Sequence, residues 1–335
     1  MQRRITIGRI VFVIFTVFFL QKEVLAAPYY AGKTINIVVG FGPGGGYDRM
    51  TRLIAKYLPK YIPGKPTVII DNMPGAGSII AANRVYNLEK PDGLTLGCIN
   101  RGLTYGQLLK APGVKFDMTK FAWIGSAGSE ATVMVIRSDL PYKTFEELRH
   151  LKEPLHIGIT GLGASDTQFT TLAKEFLGLK ANLVSYAAIP ELMLAIERKE
   201  VDGRSGTYSS LRPIIERGVV RPVLRGRVAE RGVENLPVNE DQTQDKKAKT
   251  IMALQSAPDL MGRPYIAPPG TPAEVMKILK DGFIKTANDP ALKAEAKKLM
   301  MDFEYLSAEE CLKVVKFILQ QPDDIVRELG KYIKF

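Results

Sequence analysis

The chain has 335 residues, of which 46% are hydrophobic and 24% charged, and its formal net charge at pH 7 is +11. These values exclude a low-complexity chain and leave length for two folded domains. No recognition-helix or stacked-aromatic pattern accompanies the basic charge, so we expect no nucleic-acid partner.

Residues 1–26 have the pattern of a signal peptide. Three arginines precede the apolar run Ile10–Leu20, and a small-residue cleavage pattern follows at Val24–Ala26. The run is shorter than the ~20 residues of a membrane-spanning helix. We therefore expect cleavage near Ala26 and an exported, soluble product, with retention as an uncleaved anchor as the alternative.

A glycine-rich loop follows the first predicted strand. Ile35–Val39 is an apolar run typical of a buried strand, and Gly40–Asp48 carries few side chains. Apolar residues from Met50 to Leu58 then recur at helical spacing. Such a turn directs unpaired amides and the positive end of a helix at one point, which favours a carboxylate or phosphate.

Two further strands complete the first predicted unit, at Thr67–Ile70 and Leu94–Ile99. Between them lies a second glycine turn, Pro74–Ser78, in which Ser78 is placed to cap a helix. The pattern predicts a βαβαβ unit whose two glycine turns meet at the same edge of a parallel sheet.

A second predicted unit begins with the same arrangement of a strand, a glycine-containing turn and a helix. Leu155–Ile159 leads into Gly161–Thr167 and an amphipathic helix, and a strand at Asn182–Ser185 runs into Tyr186–Pro190. Beyond it, Arg225–Lys249 is charged and turn-rich, which predicts an exposed connection. Three C-terminal helices with clear start signals follow, and we expect them to pack on the first unit.

The candidate chemistries differ in their support. Gly40, Gly42 and Gly45 match a dinucleotide fingerprint, so an exported NAD-type oxidoreductase is an alternative, although Pro43 within the turn counts against it. Hydrolase motifs are absent from the sequence, and His150 and His156 are the only histidines. We predict that the protein is not an enzyme.

The two cysteines, Cys98 and Cys311, match no metal or redox spacing. We expect two buried free thiols, with one long-range disulfide as the alternative. No cluster of histidines, cysteines or carboxylates has ligand spacing, so neither a metal nor another cofactor is predicted.

Several motifs together resemble one protein family. In order and spacing, the chain is similar to the solute-binding receptors of tripartite tricarboxylate transporters, also called Bug proteins. The segments that carry the resemblance are Pro43–Asp48, Asp71–Gly77, Pro91–Leu96, Glu200–Gly203 and Ala267–Glu274.

The resemblance implies a periplasmic, type II, two-lobed binding fold, in which two α/β domains enclose a cleft. We expect lobe 1 to comprise 27–128 plus 226–335, and lobe 2 to comprise 129–225. It also implies a small carboxylate ligand, held largely by backbone amides of the Phe41–Asp48 and Gly161–Thr167 turns. Membrane permease subunits are the implied partners, and a role in ligand sensing for a signalling system stays open. We expect a monomer.

Two arginines that follow predicted strands are candidates for a second ligand carboxylate, Arg101 and Arg204. Each has a structural ion pair as its alternative, and Asp48 has helix capping as its alternative. The full set of predicted ligand-binding residues is Phe41, Gly42, Gly45, Gly46, Tyr47, Asp48, Gly77, Ser78, Arg101, Gly161, Gly163, Ala164, Ser165, Asp166, Thr167, Tyr186 and Arg204.

Overall fold

The computed structural model describes residues 27–161, 164–301 and 303–333. The predicted signal peptide and Gly163 lie outside this part of the chain. The strands, in chain order, are β1 (Thr34–Val39), β2 (Thr67–Asn72), β3 (Thr95–Cys98), β4 (Ala122–Ala127), β5 (Thr132–Arg137), β6 (Leu155–Ile159), β7 (Ala181–Ser185), β8 (Gly203–Thr207), β9 (Val220–Arg225), β10 (Pro264–Ala267) and β11 (Tyr305–Ser307).

Helices lie between and after these strands. They are α1 (Gly46–Tyr57), α2 (Ile79–Asn87), α3 (Leu103–Leu108), α4 (Phe145–Arg149), α5 (Ser165–Leu177), α6 (Ile189–Glu197), α7 (Tyr208–Glu216), α8 (Lys246–Ser256), α9 (Ala273–Ala287), α10 (Pro290–Lys298), α11 (Ala308–Leu319) and α12 (Asp323–Tyr332).

The first sheet has the strand order β11-β4-β10-β3-β1-β2. Its β1 pairs in parallel with β2 and β3, as the βαβαβ pattern predicts. Helices cover both faces, because Ile37 and Val39 pack with α1 while Val38 packs with α2. This two-sided burial explains why the last three residues of β1, Ile37–Val39, are all apolar and do not alternate with polar residues.

The second sheet has the strand order β7-β6-β8-β5-β9. Its β6 is parallel to β7 and β8, and β5 is antiparallel to β8 and β9. The chain passes from the first sheet to the second between β4 and β5, and returns between β9 and β10. We propose these two crossings as the boundaries of the lobes, at 128/129 and 225/226.

The C-terminal helices divide between the sheets. As expected, α9 and α11 pack against β4, and α10 packs against α1. In contrast, α8 and α12 pack against α5, and Ile251, Met252 and Leu329 are buried in the core of the second sheet. The expectation of an exposed connection over 225–249 is wrong in part, because Val233 and Asn239 are buried and α8 begins within it.

Candidate functional site

A cavity of about 590 Å³, including its open mouth, lies between the two sheets. Loops at the ends of β1 and β3 line it from the first sheet, and loops at the ends of β6 and β8 line it from the second. Of the predicted ligand-binding residues, those that line this cavity are Phe41, Gly45, Gly46, Tyr47, Arg101, Ala164, Ser165, Asp166 and Arg204.

Asp48 supports the β1–α1 loop from behind. Its carboxylate accepts hydrogen bonds from the Gly44 amide at 2.8 Å and from Asn72 Nδ2 at 2.9 Å, and it pairs with Arg52. Burial opposes ionisation, but the hydrogen bonds from Arg52, Gly44 and Asn72 hold the pKa of Asp48 below its usual value. Asp48 does not line the cavity, so its observed role is to fix the loop.

Two aromatic rings form one wall of the cavity. Phe41 and Tyr47 stack with ring centroids 4.6 Å apart, and the Arg101 amide donates to the Tyr47 hydroxyl at 3.2 Å. Burial raises the pKa of Tyr47, so the phenol is neutral at physiological pH. The wall is therefore apolar and held in one orientation.

Three helices begin at the cavity without a capping side chain. The residues at the N-cap positions of α1, α5 and α7 are Gly45, Ala164 and Thr207, and none accepts a hydrogen bond from a first-turn amide. The Thr207 hydroxyl instead donates to Ser210 Oγ at 2.7 Å. Side chains cap α4, α8, α10 and α11, at Thr144, Asp245, Asp289 and Ser307, whereas α2, α3, α6, α9 and α12 also lack a side-chain cap. The positive ends of three helices thus face one cavity.

The guanidinium groups of Arg101 and Arg204 are already paired with carboxylates. Arg101 is 2% exposed and binds Asp259 Oδ1 at 2.7 Å and Thr132 Oγ1 at 3.3 Å. Arg204 is 3% exposed and binds Asp166 Oδ2 at 3.0 Å. Both arginines line the cavity, yet each also forms the structural ion pair that was its alternative.

A third buried arginine, Arg263, lines the cavity and is absent from the sequence-based set. Its Nη2 donates to Ser209 Oγ at 2.8 Å, its Nη1 contacts Glu130, and the guanidinium lies 5.9 Å from the Tyr47 ring centroid. Within the described part of the chain, its Nε has no hydrogen-bond partner. Burial lowers the pKa of Arg263 to about 10, which leaves it charged at neutral pH.

Arg263 gives little signal in the sequence. It stands alone between Gly262 and the short apolar strand β10, and its partners are far away along the chain. An isolated charge immediately before a buried strand is the feature that marks it. The cavity is also lined by Ser210, Thr160 and Thr132. The sequence does not single out these residues, because single hydroxyl residues are common in loops.

A second cavity adjoins the first and shares Phe41, Thr160, Ala164 and Ile189 with it. Predicted residues Gly42, Gly77 and Ser78 line it, and Asn100 binds the Gly77 carbonyl at 3.1 Å. Its empty volume is about 830 Å³ with the mouth included, and its other lining residues are Gly40, Pro74, Gly75, Ala76, Ala187 and Ala188.

The remaining predicted residues in the described ranges line neither cavity. Gly161 is the last described residue before the gap in its loop, and the Thr167 amide donates to Asp166 Oδ1 at 2.9 Å. Tyr186 packs against the apolar cluster around Leu192 in the second sheet. These residues support the loops around the cavities rather than lining them.

The cysteines, the possible metal ligands and the helix lengths of the described residues bear on the alternatives raised by the sequence. Cys98 and Cys311 are buried free thiols, as expected, and burial raises their pKa values to about 11 and about 12. No group of histidines, cysteines and carboxylates suited to a metal occurs in the described ranges. Within those ranges, no helix has both the length and the apolar character needed to span a bilayer.

Two α/β sheets that enclose such a cavity define the two-lobed fold of periplasmic binding proteins. The periplasmic binding protein BugD has this fold, with a TM-score of 0.75 and 20% identity, covering 91% of this chain and 100% of that one. MatC from Rhodopseudomonas palustris with bound malate gives a TM-score of 0.71 at 19% identity, covering 88% of this chain and 99% of that one.

The model of the tripartite tricarboxylate transporter family receptor matches residues 50–331, and the chain belongs to this family. A relative in Bordetella pertussis, described as a UPF0065 protein, is 26% identical over 310 residues, which are 91% of this chain and 92% of that protein. The resemblance identified from the sequence motifs and the predicted two-lobed α/β fold are therefore confirmed.

Proposed function

We propose that the protein is an exported receptor that captures a small organic carboxylate between its lobes and delivers it to a tripartite membrane transporter. The observation that carries the proposal is the meeting of three uncapped helix N-termini at one cavity. Backbone amides without an internal acceptor bind an anion from solution, and the helix dipoles favour its charge.

Contacts between the lobes explain how the ligand is enclosed. A Cβ atom on Gly44 would lie 3.3 Å from Pro190 Cγ, and one on Gly45 would lie 3.2 Å from Ile189 Cδ1. Ser165 Oγ also donates to Asn100 Oδ1 at 3.4 Å. A carboxylate bound between the lobes completes hydrogen bonds to both, so it favours this closed arrangement over an open one.

Family membership supports the partner and the location. The family description names a transporter receptor, and the malate in the MatC structure is a small carboxylate. Removal of residues 1–26 in the periplasm and a monomeric state remain parts of the proposal. The proposed ligand contacts are the predicted residues that line the two cavities, together with Arg263.

The test is a thermal-shift panel of carboxylic acids on the mature protein, with mass spectrometry of any ligand released from gently purified material. We expect a carboxylate to raise the melting temperature, because a ligand at ~100 times its Kd contributes about 2.7 kcal/mol. A nicotinamide dinucleotide is the counter-ligand. A shift with the dinucleotide and with no carboxylate would show that the receptor proposal is wrong and the oxidoreductase alternative right.

A further inference from the structure

We infer that a groove between α8 and α11 is a docking site for an acidic, amphipathic helix of a partner protein. The groove shares no lining residue with either cavity between the sheets. Its empty volume is about 1090 Å³ with the mouth included. The short 3₁₀ helix Ala257–Met261, which follows α8 directly, contributes to the same wall.

The surface of this groove is largely apolar. Leu254 and Ala257 are buried beneath it, Val314 is half-buried, and Leu260 and Phe317 are 46% and 55% exposed. A contiguous apolar patch that reaches solvent is typical of a protein interaction site. The lining residues recur at helical spacing on both walls, with Thr250, Ala253 and Leu254 on α8 and Val314, Phe317 and Gln321 on α11. A groove with two helical walls accepts the apolar face of a third helix.

The charges around the groove are positive. Two cations line it, no carboxylate of the described residues does, and α8 adds three lysines and no acidic residue, so the cations are Arg227, Lys313, Lys246, Lys247 and Lys249. Arg227 pairs with Glu240, and Lys247 pairs with Glu328. In the described ranges no ion pair involves the other three lysines. The groove therefore combines an apolar surface with a basic rim.

This charge distinguishes between possible occupants. A second copy that used the same groove would bring its own cations against these, because a two-fold contact pairs like surfaces. Residues 1–26 contain four cations and one carboxylate, so that segment is also repelled. A helix with an apolar face and a carboxylate-rich polar face is attracted by both features of the groove.

The groove also lies beside the ligand site, which decides where the test variants are placed. Leu260 lines the groove, but the preceding residue, Asp259, binds Arg101 in the first cavity. The Asp259 carbonyl also accepts a hydrogen bond from the Glu130 amide at 2.9 Å. A change at Leu260 could therefore alter ligand binding indirectly. We place the variants on α11, which contributes no residue to either cavity between the sheets.

The first experiment measures the binding of two labelled helical peptides by fluorescence anisotropy. Both peptides have the same stripe of leucine and phenylalanine, and the polar face is glutamate in one and lysine in the other. We expect the acidic peptide to bind at least tenfold more tightly than the basic one, with an affinity that falls as salt is added. Equal or tighter binding of the basic peptide, or no binding of the acidic one, would overturn the inference.

Two variants on α11 locate the bound peptide. Phe317→Ala removes exposed apolar surface and Lys313→Glu reverses a charge, and we expect each to weaken binding of the acidic peptide at least fivefold. The matched controls are Leu88→Ala, at a residue that is 79% exposed, and Lys152→Glu, at an exposed lysine, because neither residue lines the groove. Both controls should bind within twofold of the wild type. If the α11 variants bound as tightly as the controls, the peptide would occupy another surface and the inference would be wrong.

Sedimentation velocity without peptide tests a second copy as the occupant. We expect a monomer, and a dimer that Phe317→Ala dissociates would overturn the inference. The panel of carboxylic acids is run on the same α11 variants, which should keep any thermal shift of the wild type. If no acid shifted any form while the acidic peptide still bound, the proposed function would fail and the docking site would stand.

Discussion

Gly46, the first residue of α1, lies beside the first cavity at a close approach between the two lobes. A Cβ atom there would overlap Ser210 Oγ of α7 and lie 2.7 Å from Arg263 Nη2. We expect Gly46→Ala to weaken carboxylate binding at least tenfold, or about 1.4 kcal/mol, because the methyl group keeps the lobes apart. Isothermal titration of the ligand identified in the panel measures this loss.

Gly330→Ala, on α12 and away from both cavities, is the control. A Cβ on Gly330 would lie 3.4 Å from Leu109 Cδ2, which is an ordinary contact, and its φ is not positive. This variant should bind within threefold of the wild type. If Gly46→Ala bound equally well, the close approach at α1 would have no role in enclosing the ligand.

At the residue scale the sequence predicts backbone sites better than side-chain sites. The loop around Gly45 is predictable because glycines between a strand and a helix have a direct conformational meaning. Arg263 is not, because its role depends on Glu130 and Ser209, which are brought to it only by the packing of the two lobes. The pairing of Arg101 with Asp259, 158 positions apart, is equally invisible in the sequence.

At the element scale, one carboxylate links α12 to α8 in addition to the apolar packing of Leu329 against the same core. Glu328 accepts hydrogen bonds from Lys247 on α8 and from Lys331, and these bonds lower the pKa of Glu328 to about 2. A carboxyl group whose pKa is lowered on folding stabilises the fold above its unfolded pKa of ~4.3. We expect this contribution to be lost as the pH falls from about 4 towards 2.

The comparison of wild type with Glu328→Gln tests this attachment by urea unfolding at pH 7 and at pH 3. We expect the variant to be less stable at pH 7, with a smaller difference at pH 3. Asp281→Asn, which removes an exposed pair with Lys277 inside α9, is the control and should change stability little. A difference that is the same at both pH values would exclude Glu328 ionisation as its cause.

Element boundaries are more predictable than element partners. The capping box at Ser307 marks the start of α11 and is present, since such signals are local in sequence. The antiparallel insertion of β10 between β3 and β4 depends on pairing with strands more than 130 residues away. Local sequence patterns do not specify which distant strands pair or in which register. The packing of α8 on α5 cannot be predicted from the sequence for the same reason.

At the scale of the whole molecule, the proposed function requires the lobes to open for ligand exchange, and a disulfide between them would prevent this opening. A Cβ on Gly102 would lie 3.2 Å from Ser165 Oγ across the cleft, so a sulfur in place of that Oγ would be close enough for a cysteine at position 102 to reach it. Gly102 has φ −72°, which cysteine adopts without strain. We expect the oxidised Gly102→Cys, Ser165→Cys variant to exchange labelled ligand at least a hundredfold more slowly.

The reduced form of the same variant is the control, because it has the same residues but no covalent link between the lobes. Cys98 and Cys311 are buried with raised pKa values and should not compete for the disulfide. Exchange that is equally fast in the oxidised and reduced forms, with the disulfide verified by mass spectrometry, would show that ligand leaves without separation of the lobes.

The uncapped starts of α1, α5 and α7 have a consequence for what a partner of this protein can detect. Asp245, Asp289 and Ser307 cap their helices whenever the chain is folded. Under the proposed function, the bound ligand supplies the hydrogen-bond acceptors for the first turns of α1, α5 and α7. We then expect these first turns to be better ordered when a ligand is bound, so that a membrane partner can distinguish a loaded receptor from an empty one by its backbone without contacting the ligand.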